Sequence, residues 1–160
     1  LAAVNGAAAG AGMNIALACD LRIAADDAVF GQSFAKVGLF PDFGGTYFLP
    51  RLVGPARAAE MFYTGELISA ADALRIGAVN RIVPADKLMD DARAWAASLA
   101  AAPPIAARAV KRTLFGNDRA ALERALELEV KQQVECFFSE DGAEGMRAFF
   151  EKRAPQFKGR

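Results

Sequence analysis

An α/β fold is the expectation, and three observations carry it. The first third of the chain alternates short apolar runs with glycine turns, helical periodicity takes over at Gly54, and everything after Pro84 has the composition of helices. In order along the chain, Leu1 to Val4 reads as a strand. A Gly/Ala stretch from Gly6 to Gly12 lets backbone come close to a neighbour at the start of a helix from Met13 to Cys19. Leu21 to Ala25 and Ala28 to Gly31 are further short runs of strand type. A second glycine-rich turn, Pro41-Asp42-Phe43-Gly44-Gly45, precedes another helix. Pro55 suits the first position of a helix that carries Ala58, Ala59, Met61 and Phe62. Ser69-Ala-Ala-Asp72 is an N-terminal capping arrangement for a helix through Ile76, closed by Gly77, and Ala78 to Val83 is one more strand, ended by Pro84. Three or four helices follow: Ala85 to Ala101, Pro104 to Phe115, Arg119 to Phe138 and Gly142 to Arg153. In the third of these, Leu122, Leu126, Val130 and Val134 form an apolar stripe, expected to pack into the core with a share left for another subunit. The chain thus divides into a mixed part, residues 1–84, and a helical part, residues 85–160.

With 160 residues, 54% of them hydrophobic, there is material for one ordinary core. Lys plus Arg equals Asp plus Glu at 19 each, so no net field draws the chain to nucleic acid or an anionic membrane. Cys19 and Cys136 lack CxxC spacing and there is no histidine, so neither a zinc site nor a Ser-His-Asp triad is expected. Both cysteines read as buried and reduced, which suits a cytoplasmic protein. No apolar run approaches bilayer length, and Leu1 to Val4 has no basic segment of the signal-peptide kind. The chain opens on a strand-like segment without a starting Met, which suggests an upstream portion.

Two turns are candidates for chemistry. Gly10-Ala-Gly12 and Pro41 to Gly45 each lead into a helix, whose first N–H groups carry partial positive charge and suit an oxyanion. The first is not a dinucleotide loop, because Ile15 stands where a third glycine is needed and no ribose-binding acid follows. A plain tight connection is the alternative for either turn. Asp42, with Leu39, Phe40 and Phe43 around it, has its charged form disfavoured, which suits it to take and return a proton. On the residues alone a helix N-cap is the favoured alternative, since Asp is among the best capping residues.

The segments Val4-Asn-Gly-Ala-Ala-Ala-Gly-Ala-Gly-Met-Asn-Ile-Ala-Leu-Ala-Cys-Asp20, Phe30-Gly-Gln32, Lys36-Val-Gly-Leu-Phe-Pro-Asp-Phe-Gly-Gly-Thr46 and Leu49-Pro-Arg-Leu-Val-Gly54 resemble consecutive signatures of the crotonase (enoyl-CoA hydratase/isomerase) superfamily. The likeness continues through Thr64 to Asp72, Gly77 to Asn80 and Glu144 to Arg153, so it covers nearly the whole chain. It implies a spiral core of ββα units, C-terminal helices that build homo-trimers or dimers of trimers, and acyl-CoA substrates. No bound cofactor is implied, since coenzyme A enters as part of the substrate thioester. About the first third of such an enzyme would precede Leu1. By the same resemblance one oxyanion donor is the N–H of Ala11, between Gly10 and Gly12, and the other lies upstream. Phe34, Leu39, Phe40 and Phe43 are implied for the acyl pocket, and Lys152, Phe157 and Lys158 for the CoA nucleotide, a solvated basic tail being the alternative. Asn14 and Phe34 stand where hydratases of the family carry glutamates. Asp42 instead matches the aspartate of ring-type and dienoyl-type isomerases, with the strongest likeness to phenylacetyl-CoA-pathway enzymes that isomerise a ring epoxide or shift a double bond. An isomerase with Asp42 as acid and base is therefore the expected function. Hydratase-like activity, an aryl-CoA dehalogenase with Asp42 as nucleophile, and a catalytically silent binding or assembly module are the alternatives.

Overall fold

The computed structural model describes residues 1–160. Its mixed part repeats one unit. Strand β1 (Ala2–Val4), strand β2 (Ala7–Ala9) and helix α1 (Ala11–Leu17) make a first ββα turn, and β3 (Arg22–Ala25) and β4 (Val29–Gly31) begin a second. Each turn lays one strand in each of two sheets: β3 pairs parallel with β1, and β4 pairs parallel with β2. A tight helical turn (Ser33–Val37), then α2 (Gly45–Val53) and α3 (Pro55–Thr64), complete the second turn. Strand β5 (Leu67–Ser69), helix α4 (Ala70–Arg75) and strand β6 (Arg81–Val83) finish the sheets, which run β1-β3-β6 and β2-β4-β5. This is the ββα spiral that the resemblance implied.

Strand β3 is buried at all four positions, as a central parallel strand covered on both faces must be. It nevertheless carries Arg22, 3% exposed. The guanidinium is tolerated because it donates to the Ala78, Leu17 and Cys19 carbonyls at 2.7, 3.3 and 2.5 Å. Around this strand Met13, Ile23, Phe30, Leu49, Met61, Val79 and Trp95 form a continuous core. Each large side chain contributes roughly 2 kcal/mol by leaving water.

Two strands fall outside the sequence expectation. Both are only three residues long: β2 is Ala-Ala-Ala, with no β-branched residue to mark it, and β5 is an edge strand antiparallel to β4. At Gly31 a Cβ would stand 2.6 Å from Leu67 Cδ2, so glycine permits that edge to pair. The Ser69 cap is as expected: its hydroxyl accepts from the Asp72 N–H at 3.1 Å.

The helical part consists of α5 (Leu88–Ala100), α6 (Pro104–Gly116), α7 (Arg119–Phe137) and α8 (Glu140–Glu151). Residues 85–87 form a separate turn before α5, and α8 starts two residues early because Ser139 caps it through the Gly142 N–H. The α7 stripe is not core. Leu122 is half-buried, while Leu126, Val130 and Val134 are 39%, 65% and 52% exposed. Both cysteines are unpaired and half-buried rather than fully buried. No helix is long and apolar enough to cross a membrane.

Candidate active site

Gly10 turns the chain from β2 into α1 with φ 53° and ψ −123°, a conformation open to glycine, and its N–H is fixed to the Gly31 carbonyl at 2.8 Å. The first N–H taken by the helix is that of Asn14, bonded to the Gly10 carbonyl. The N–H groups of Ala11, Gly12 and Met13 therefore have no intrahelical acceptor. Ala11 is half-buried and Gly12 exposed, and a Cβ on Gly12 would meet nothing within 4 Å, so the space over this helix start is open. Phe34, 8% exposed, lays its ring against Gly10, where a Cβ would stand 3.4 Å from Phe34 Cζ.

Asn14 joins the two glycine turns. It is fully buried, its Oδ1 accepts from Gln32 Nε2 at 2.7 Å, and its Nδ2 donates to the Asp42 carbonyl at 2.7 Å. Gly45 packs onto the same amide, 2.6 Å separating its would-be Cβ from Asn14 Cγ. The main-chain carbonyl of Asp42 is thus held by Asn14, three residues beyond Ala11 on α1, and neither Asn14 nor Phe34 has a group that can move a proton.

The backbone next to Asp42 is unusual, since Phe43 has φ 53° and Gly44 φ 78° before α2 begins. For a phenylalanine that conformation stores strain, about 1 kcal/mol or more. Asp42 does not cap α2. That role falls to Glu129 of α7, 2% exposed, which accepts from the Gly44 N–H at 2.7 Å, the Thr46 N–H at 3.0 Å and the Thr46 hydroxyl at 2.5 Å. The Asp42 carboxylate is left with one protein partner: Gln133 Nε2 donates to its Oδ2 at 2.9 Å. Its Oδ1 is buried and has no protein hydrogen-bond partner. Asp42, Phe43, Leu126, Glu129, Val130, Gln133 and Val134 line a hollow of about 330 Å³.

Of the remaining expected residues, Leu39 and Phe40 are half-buried in the loop before Asp42, the Phe40 N–H donating to Gln133 Oε1 at 3.0 Å. Phe43 is 56% exposed at the mouth of the hollow. Lys152 ends α8 and shares a separate hollow of about 470 Å³ with Lys36, Phe149 and Arg153. Phe157 lies beside Gly38, and neither it nor Lys152 lines the Asp42 hollow. Sequence reasoning missed Glu129 and Gln133. The available signal was two polar residues four apart on α7, flanking the stripe of Leu126, Val130 and Val134.

The sequence profile described as "Enoyl-CoA hydratase/isomerase" matches residues 1–160. A "Probable enoyl-CoA hydratase" of Rhodobacter capsulatus is 49% identical over 160 residues, all of this chain and 62% of that relative. A "Crotonyl-CoA hydratase" of Syntrophomonas wolfei is 41% identical over 98% of this chain and 60% of its own length. Among solved structures, an enoyl-CoA hydratase/isomerase from Pseudoalteromonas atlantica superposes with TM-score 0.91 at 33% identity, covering 97% of this chain and 62% of that one. The chain therefore spans about 60% of the length of the curated relatives it matches. Their names are those of hydratases or of the family as a whole, so what is shared is the family and not a choice of isomerisation.

Proposed function

The chain belongs to the enoyl-CoA hydratase/isomerase (crotonase) family, and from that premise we propose that it serves a CoA-thioester isomerase in which Asp42 is the acid and base. The observation that carries the reading is the state of one carboxylate on a residue lining the hollow: Asp42 Oδ2 is occupied by Gln133, while Oδ1 is buried and has no protein partner. The substrate's thioester oxygen would accept the Ala11 N–H, in the turn formed by Gly10 and Gly12, and a second N–H from elsewhere in the full-length protein. Each such donor stabilises a developing enolate by roughly 3 kcal/mol. Asp42 Oδ1 then removes a proton from the carbon next to the thioester and returns it farther along the conjugated system, which moves the double bond. Phe34, Leu39, Phe40 and Phe43 supply the apolar surroundings of the acyl chain. Lys152 and Phe157 are proposed to meet the CoA nucleotide, a role supported by Lys36 and Lys152 facing one hollow. Residues 1–84 would then carry the spiral and its chemistry, and residues 85–160 the assembly of the protein into homo-trimers.

Water addition is the second reading, favoured by the names of the relatives. It requires two groups to hold and split a water molecule. The side chain of Asn14 is spent on Gln32 and Asp42, and Phe34 has no titratable group. The full-length protein, given 2-enoyl- and 3-enoyl-CoA thioesters, is expected to interconvert them without a change of mass. A 3-hydroxyacyl-CoA as the main product would replace isomerisation by hydration.

A further inference from the structure

Gln133 stands on α7, four residues beyond Glu129, in the wall of the hollow that Asp42 faces. Both ends of its amide are committed to one loop. Oε1 accepts from the Phe40 N–H at 3.0 Å and Nε2 donates to Asp42 Oδ2 at 2.9 Å, so the two contacts straddle Pro41. On the other side of the loop, Asn14 Nδ2 holds the Asp42 carbonyl at 2.7 Å. The main chain of Asp42 is thereby fixed from α1, and its carboxylate plane from α7.

We propose that Gln133 is a positioning residue for proton transfer: its amide holds Asp42 Oδ2 so that the buried Oδ1 alone is left unbonded for the substrate. This rests on the reading of Asp42 given above. A hydrogen bond to an ionised carboxylate is stronger than one between neutral groups, and a carboxylate pinned at one oxygen keeps the other aimed. One oxygen then both removes and returns the proton, so both steps take place on the same face of the acyl chain.

Two variants of the full-length protein, assayed with a 3-enoyl-CoA over a range of pH alongside Asp42→Asn, test the role. Gln133→Leu keeps the bulk and loses both contacts; kcat is expected to fall about ten- to hundredfold with KM changed less than about twofold. Gln133→Glu keeps an acceptor for the Phe40 N–H and places a second carboxyl group against Oδ2. Two carboxyl groups at that separation share one proton, and while it is held the introduced side chain still donates to Asp42. The Gln133→Glu protein is therefore expected to be more active on the acid side and to lose activity as pH rises and the shared proton leaves, a descending limb absent from the wild type. Glu129 is the other titratable side chain lining the hollow and is common to both proteins, so a new limb belongs to the introduced pair. Unchanged kcat in Gln133→Leu, or a Gln133→Glu profile without that limb, overturns the positioning role and leaves Asp42's role standing. No turnover by the wild type, or full turnover by Asp42→Asn, removes the reading of Asp42 and this inference together.

Discussion

Two carboxylates sit within a few residues of one helix start and have opposite fates. Glu129 spends both oxygens on the Gly44 and Thr46 groups at the head of α2, and Asp42, free of that duty, keeps one buried oxygen without a protein partner. Replacing Glu129 by Ala strands two main-chain donors and a hydroxyl in a buried place. A loss of about 3 kcal/mol is expected, read as a fall in the urea midpoint at unchanged m-value, with Glu129→Gln recovering part of it because its amide oxygen still accepts. Asp42, Gly10 and Phe34 could be singled out as candidates in the sequence because their signals are local: an acid before paired glycines, a glycine turn before a helix, an aromatic in a signature segment. Glu129 and Gln133 could not, for their partners lie 83 to 93 residues away along the chain.

Helix starts were readable where a local signal marks them, as at the Ser69 cap and at Pro55 and Pro104 in the first helical position. They were misjudged by two residues at α1, which follows the Gly10 turn, and at α8, which follows Ser139. The α7 stripe teaches a related limit: a period of four identifies residues that share a face, and says nothing of what covers it. Leu126, Val130 and Val134 line the hollow at Asp42 instead of the core. At the far end, α8 is tied to the C-terminal tail by Glu144, whose carboxylate accepts from Arg153 and from the Gln156 N–H. The Arg153 guanidinium, helped by that N–H, holds the Glu144 carboxyl down at about 2. Because the folded value lies below the ordinary one of 4.5, the contribution of this clamp is complete above pH 4.5 and is lost as pH falls toward about 2. Protection of the Gln156 N–H, normalised to intrinsic exchange, should fall over that window in the wild type and be low throughout in Glu144→Gln.

At the scale of the whole molecule, the α/β class was legible from the order of short apolar runs and glycine turns, while the ββα spiral was implied only by the family resemblance. The covering of the helices was not legible, because burial depends on what lies against them. Helix α6 has no buried residue, and Ile105, Val110 and Leu114 are 80%, 57% and 66% exposed. In the proposed assembly this apolar surface is where subunits meet. Light scattering on the full-length protein should find trimers or pairs of trimers, and Ile105→Glu with Leu114→Glu should shift the mass toward the monomer. The same architecture fixes the main chain of Asp42 from α1 and its carboxylate from α7, and the central claim is that this carboxylate moves the proton. The most direct measurement is deuterium uptake from heavy water into a 3-enoyl-CoA, followed by NMR at the carbon next to the thioester, with wild type and Asp42→Asn compared at equal occupancy. Uptake and double-bond migration in the wild type, reduced at least about a hundredfold in Asp42→Asn, is the expected result. Equal uptake by the two proteins would contradict it.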